Sequence, residues 1–191
     1  MMINVYMKES AVKTLGPGIR YCLWVQGCNR RCKGCTAPDA QTLGAGVDID
    51  TQALAWEIIL SGAEGLTVSG GEPFLQAAAL TEMIETIRRK KDMGVIVYSG
   101  FTYEELLKNE EYKKLLENID LLIDGPYVRE LDDGKSLRGS SNQKVIPLTE
   151  RYKKDLHMYG SGVRTSEIFF NGYELHRVGI PDNLNNNREE I

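Results

Sequence analysis

The chain has 191 residues, 42% of them hydrophobic and 26% charged, with a formal net charge of −4. That length carries one domain with a sizeable core, and the mild acidity excludes a general nucleic-acid surface. No apolar run reaches the ~18 residues of a membrane helix, and the first residues lack the basic-then-apolar order of a secretory leader.

In chain order, residues 3–7 alternate apolar and polar side chains and read as a strand. Gly16-Pro17-Gly18 makes a turn, and Arg20 beside it either reaches an anionic group or closes the connector. Residues 21–26 form the first clear strand, from whose C-terminal end hangs the loop Gly27-Cys28-Asn29-Arg30-Arg31-Cys32-Lys33-Gly34-Cys35.

Three thiolates spaced C-x3-C-x2-C can hold three corners of a cubic iron–sulfur cluster and leave the fourth iron to a ligand that is not protein. Three of the four cysteines are clustered, an odd set that pairs badly as disulfides, so a reducing, cytoplasmic compartment is expected. A tetrahedral zinc with Cys22 as fourth sulfur is the rival reading. Cys22 alternates with Leu23, Trp24 and Val25 in the apolar strand, however, and reads better as a small core residue.

Residues 38–46 read as loop, and Asp50 or Thr51 caps a helix running to about residue 61 that is apolar on nearly all faces, with Trp56 in the core. Residues 66–68 form a buried strand ended by Ser69-Gly70-Gly71-Glu72-Pro73. Leu80, Met83, Ile84 and Ile87 then show helical spacing. A strand over residues 95–98 closes on Ser99-Gly100, and Thr102 with Glu105 forms a capping box. A helical piece over residues 112–119 precedes a strand at 121–123, which ends in Asp124-Gly125-Pro126.

Residues 137–143, containing Arg138, are polar, and 144–148 form a last strand. Residues 167–170 and 173–178 flank Asn171-Gly172 as a hairpin, and 183–191 read as a frayed tail. His157 and His176 read as surface or hairpin residues rather than ligands. Alternating strands and helices predict an α/β fold on a parallel sheet. In such folds the C-terminal strand ends face ligands, so the cysteines, Gly70-Gly71, Ser99-Gly100 and Asp124-Gly125 are expected on one rim.

These motifs, with Gly16 to Arg20 and the Arg138-Gly139-Ser140-Ser141-Asn142-Gln143 stretch, resemble the radical S-adenosylmethionine (SAM) enzymes. Within that superfamily they are most similar to the activase branch serving anaerobic ribonucleoside-triphosphate reductases. The resemblance implies a small partial (β/α) barrel of the radical SAM type with an open rim over residues 1–148; residues 149–191, a C-terminal extension with the β-hairpin and frayed tail, run past where small activases of this type normally end, and the resemblance does not explain them. It implies one [4Fe-4S] cluster held by Cys28, Cys32 and Cys35, with SAM chelating the fourth iron and being cleaved reductively to a 5′-deoxyadenosyl radical. Gly70, Gly71, Glu72 and Pro73 resemble the loop that receives the SAM amino group. Tyr98, Ser99 and Gly100 would face its ribose or carboxylate, Asp124 substrate or ribose, and Arg138 a carboxylate or the partner's surface.

The implied partners are an anaerobic ribonucleotide reductase or another glycyl-radical protein and a flavodoxin-like electron donor, with no nucleic acid and no membrane. Gly34 stands where many relatives place an aromatic residue against adenine, which leaves that contact unassigned. Two rival functions remain: a radical SAM enzyme that modifies another protein or peptide, and a non-catalytic zinc- or cluster-binding interaction protein.

Overall fold

The computed structural model describes residues 1–135, 137–170 and 173–181. The Asn171-Gly172 turn and the 183–191 tail expected above lie outside the described residues.

Seven strands form one mixed sheet: β1 (Met2–Val12), β2 (Arg20–Val25), β3 (Val47–Asp50), β4 (Gly65–Gly70), β5 (Gly94–Tyr98), β6 (Leu121–Asp124) and β7 (Lys144–Pro147), in the order β3-β1-β2-β4-β5-β6-β7. β2, β4, β5 and β6 run parallel. β1, β3 and β7 pair antiparallel, so the expected parallel sheet is the centre of a mixed one. The reason lies in the connections. A parallel return needs a crossover, usually a helix, whereas among the described residues the β6–β7 segment supplies a 3-10 turn at Arg129–Leu131 and no α-helix.

Helices α1 (Thr51–Leu60), α2 (Ala77–Arg88), α3 (Tyr103–Leu106) and α4 (Glu110–Leu116) complete the crossovers. Asp50 caps α1 by accepting from the Gln52 and Ala53 N–H groups, and Thr102 and Glu105 form the expected capping box. Trp56 is not core: it is 47% exposed, while Leu54, Ala55 and Ile58 are buried. At about 100° per residue Trp56 points roughly opposite to Leu54 and Ile58, so the helix can bury only one of the two faces.

The central strands are apolar on both sides, and their alternate residues divide between two layers. Tyr21, Leu23, Val25, Leu66, Val68, Val95, Val97 and Leu122 pack with the helices. On the other face, Ile96, Leu121 and Ile123 pack against Leu137, Tyr152 and Tyr159. Further along that face, Cys22 packs with Val12, Leu15 and Val178. A second, two-stranded sheet of β8 (Glu167–Phe170) and β9 (Leu175–Val178) supplies Val178. The segment after β7 therefore fills the face that the helices leave open.

Arg20 is inside this structure and 1% exposed. It donates to Thr67 Oγ1 (3.0 Å), Tyr152 Oη (2.6 Å) and the carbonyls of Pro17, Leu66 and Gly94. The anionic partner that the sequence allowed is not what holds it; neutral oxygens at the strand starts do.

Candidate iron–sulfur and SAM site

The cysteine loop leaves β2 through Gly27, whose φ of +96° lies in the left-handed region. Gly27 N–H donates to Ala40 O and Cys28 N–H to Gln41 O, at 2.7 and 3.0 Å, so the 3-10 turn Pro38–Gln41 underpins the loop. Arg30 N–H donates to Cys28 Sγ at 3.4 Å. The Arg30 guanidinium lies 4.7 Å from the Phe101 ring centre and pairs with Glu105 Oε1 at 3.4 Å, clipping the loop to α3.

The loop after β4 packs directly on this one. Gly71 N–H donates to Val25 O and Glu72 N–H to Gly27 O. A Cβ on Gly71 would stand 2.2 Å from Gly27 O, and one on Gly70 would stand 2.5 Å from the Val25 backbone. The two glycines are thus required by the protein's own backbone. The Glu72 side chain is 1% exposed. Its Oε1 accepts from Ser99 Oγ (2.9 Å) and Phe74 N–H (3.1 Å), and its Oε2 from Gly100 N–H (2.7 Å). Burial pushes its carboxyl up to about 7, against those donors and Arg30.

Cys28, Cys32, Cys35, Gly70, Gly71, Glu72, Tyr98, Ser99 and Gly100 all line one cavity of about 500 Å3. Pro73, Asp124 and Arg138 stand outside that wall. Pro73 is buried at the start of the 3-10 turn Pro73–Gln76. Asp124 accepts from the Tyr103 and Lys144 N–H groups, and Arg138 pairs with Asp133 at 2.7 Å. Gly125 represents the β6 end instead.

Sequence reasoning missed three contributors. Tyr127 lines the cavity, and its Cε1 lies 3.6 Å from where a Gly34 Cβ would be, so an aromatic ring from another loop stands beside that glycine. Trp24 faces the cavity from β2. Residues His176 to Pro181 form a further wall.

That last wall crosses the open face of the sheet. His176 Nε2 lies 2.7 Å from Glu9 Oε2 on β1. At the other end, Pro181 O accepts from Arg164 Nη1 at 2.8 Å. Arg164 in turn pairs with Asp132 and donates to the Arg138 and Gly139 carbonyls between β6 and β7. Glu167 Oε2 fixes the hairpin to the Lys13 and Thr14 N–H groups. The expectation that His176 belongs to the hairpin holds; its place in the cavity wall had no local signal.

Cys22 is 1% exposed in the apolar layer, with burial raising its thiol to about 12, and it does not join the other three. Among the described residues no three Cys, His, Asp or Glu side chains gather tightly enough to hold a single ion. Three thiols arranged around a cavity suit the separated corners of a cube.

The family of the 4Fe-4S single cluster domain matches residues 14–146. The anaerobic ribonucleoside-triphosphate reductase-activating protein of Vibrio cholerae is 34% identical over 145 residues, 70% of this chain and 91% of that protein. Its namesake in Haemophilus influenzae is also 34% identical, over 68% of this chain and 88% of its own length. The chain belongs to this activating-protein family. The pyruvate formate-lyase-activating enzyme of Streptococcus mutans is 31% identical over 78% of this chain and 59% of that enzyme.

The cofactors are accordingly one [4Fe-4S] cluster and SAM. The residues present fit them: three soft sulfur donors and a glycine-lined backbone line the same cavity.

Proposed function

We propose that the chain is a radical SAM activase that installs a glycyl radical on an anaerobic ribonucleoside-triphosphate reductase. One observation carries this reading: three thiols, the Gly70-Gly71 loop and the end of β5 share a single cavity. Cys28, Cys32 and Cys35 would ligate three irons. Gly70 to Pro73 would receive the amino group of SAM, Tyr98 to Gly100 its ribose or carboxylate, and Asp124 and Arg138 would support that rim from outside. When bound, the cofactor pair supplies one-electron cleavage of the sulfonium and hence an acceptor for a hydrogen atom.

The protein's own contribution is placement. Arg30 holds the cysteine loop down on α3, Glu72 locks two strand ends together, and the His176–Pro181 strap limits water on the open face. The sheet reads as a partial (β/α) barrel over residues 1–148, with the described part of the 149–191 extension laid across its open side. Low-potential electrons would come from a flavodoxin-like donor in the cytoplasm. Another glycyl-radical enzyme is the second reading for the partner, favoured by the Streptococcus mutans relative. No helix among the described residues is long and apolar enough to cross a membrane.

The test is anaerobic reconstitution with iron and sulfide, then dithionite and SAM, with 5′-deoxyadenosine as readout. Formation by the native protein and loss in Cys32→Ala is the expected result. A protein that binds zinc and forms no deoxyadenosine is an interaction module instead.

A further inference from the structure

The hairpin has two faces. By strand register, Glu167 and Phe169 share one face with Val178 and His176, while Ile168 and Phe170 share the other with Arg177 and Leu175. The first face is bound to the body through Val178, the Glu167 hydrogen bonds and the His176–Glu9 contact. The second carries three large apolar side chains in the open: Ile168 is 72% exposed, Phe170 65% and Leu175 72%. Arg177 completes that face, is exposed, and has no ion-pair partner among the described residues. Scattered apolar side chains on a surface need no explanation, but an aliphatic and aromatic group with an arginine at its edge has the composition of an interface core.

Its position says what would cover it. Arg177 also lines the cavity, and Gly179 to Pro181 continue from the same strand into the cavity wall. Arg177 therefore links the apolar face to the mouth of the site. Under the function proposed above, on which this step rests, a backbone glycine of another protein must reach that mouth, so the body carrying it must lie against the adjoining surface. The anchored side of the hairpin keeps this surface at a fixed distance from the thiols.

We propose that the outer face of β8–β9, formed by Ile168, Phe170, Leu175 and Arg177, is the docking surface for the glycyl-radical partner. The partner should offer an apolar patch with a carboxylate opposite Arg177, next to its glycine-bearing loop. The surface belongs to residues 149–191, the part of the chain that the 4Fe-4S domain match does not reach.

The experiment uses the reconstituted enzyme and the anaerobic ribonucleoside-triphosphate reductase of the same organism, with the glycyl radical measured by electron paramagnetic resonance. In the double variant Phe170→Asp, Leu175→Asp, the apparent KM for the reductase should rise about tenfold or more, with Phe170→Leu close to wild type. Deoxyadenosine formed without reductase should not change, since neither residue touches the cavity. An unchanged KM, with wild-type enzyme active on the reductase, overturns the docking surface alone. A wild-type enzyme that cleaves SAM but installs no radical on the reductase overturns the functional reading and this surface with it. Sedimentation that finds a dimer broken by the same substitutions assigns the face to a second copy of the chain, which also overturns the proposal.

Discussion

Gly100 N–H donates to Glu72 Oε2 at 2.7 Å, tying the end of β5 to the loop that leaves β4. Ser99 Oγ and Phe74 N–H use the other carboxylate oxygen. Two strand ends that flank the cavity are therefore held by one buried side chain. Glu72→Ala leaves three donors without their acceptor, two in buried bonds and the Gly100 N–H in a part-buried one, at about 1–3 kcal/mol each where no water replaces the carboxylate. A loss of at least about 2 kcal/mol in urea unfolding of the protein without its cofactors is expected.

The same carboxylate sets a pH dependence. Its folded value is raised to about 7, above the ordinary 4.5, so the folded protein holds a proton that the unfolded chain has released. Stability from this group is present below the unfolded value and is lost as pH rises through 7. Unfolding midpoints of wild type and Glu72→Gln, measured from pH 5 to pH 8 on the cofactor-free protein, should converge toward the alkaline end if the variant is the less stable at pH 5. Parallel curves would show that Glu72 is ionised throughout.

Gly71 offers a sharper test of how the two loops fit. Its missing Cβ would meet Gly27 O at 2.2 Å and Ala40 O at 2.8 Å, backbone atoms that cannot swing aside. Gly71→Ala should displace Cys28 by moving its neighbour Gly27. Iron bound after reconstitution should fall below the four per chain of a full cube, and deoxyadenosine by about tenfold or more. Full iron with no deoxyadenosine would place the effect on SAM binding rather than on the cysteine loop.

The parts of this site legible in the sequence are those set by local chemistry. The cysteine spacing, the glycines that end β4 and the Thr102–Glu105 capping box each announce themselves within eight residues. β3 did not: its Val47-Asp48-Ile49-Asp50 strand is short, largely exposed and rich in a residue that strands avoid. Trp56 misled because an apolar helix gives no phase until it is known which face meets the sheet. Arg20, Arg164 and the strap were illegible because their partners are remote; His176 and Glu9 lie 167 residues apart in the chain. No spacing rule links such positions.

Arg20 gives the prediction for the opposite end of the sheet. Its guanidinium joins the starts of β4 and β5 to Tyr152, beyond β7, and lies 5.4 Å from that ring's centre. Tyr152→Phe removes one charge-assisted hydrogen bond and keeps the ring, for a cost of about 1.5–3 kcal/mol. Arg20→Met also leaves buried carbonyls without donors and should cost more than Tyr152→Phe. Both belong to urea unfolding, and iron content in the folded fraction should be unaffected because neither residue lines the cavity.

Arg164 supports the far end of the strap. Its side chain is 1% exposed and that of its partner Asp132 is 4% exposed, with Nη2 2.7 Å from Oδ1. Nη1 also donates to Asp132 Oδ2, and the guanidinium donates to the carbonyls of Lys135, Arg138, Gly139 and Pro181. Removing one member of a buried pair leaves an uncompensated charge, a loss of about 3–5 kcal/mol. Arg164→Met should therefore destabilise the protein by that order, whereas replacing both partners, Arg164→Met with Asp132→Leu, should recover part of the loss. The double variant still lacks the donor that holds the Pro181 carbonyl. Amide exchange at Val178 to Ile180 should accordingly remain faster than in wild type even where stability returns. Wild-type exchange there in the double variant would mean that the Val178 packing and the His176–Glu9 contact hold the strap without Arg164.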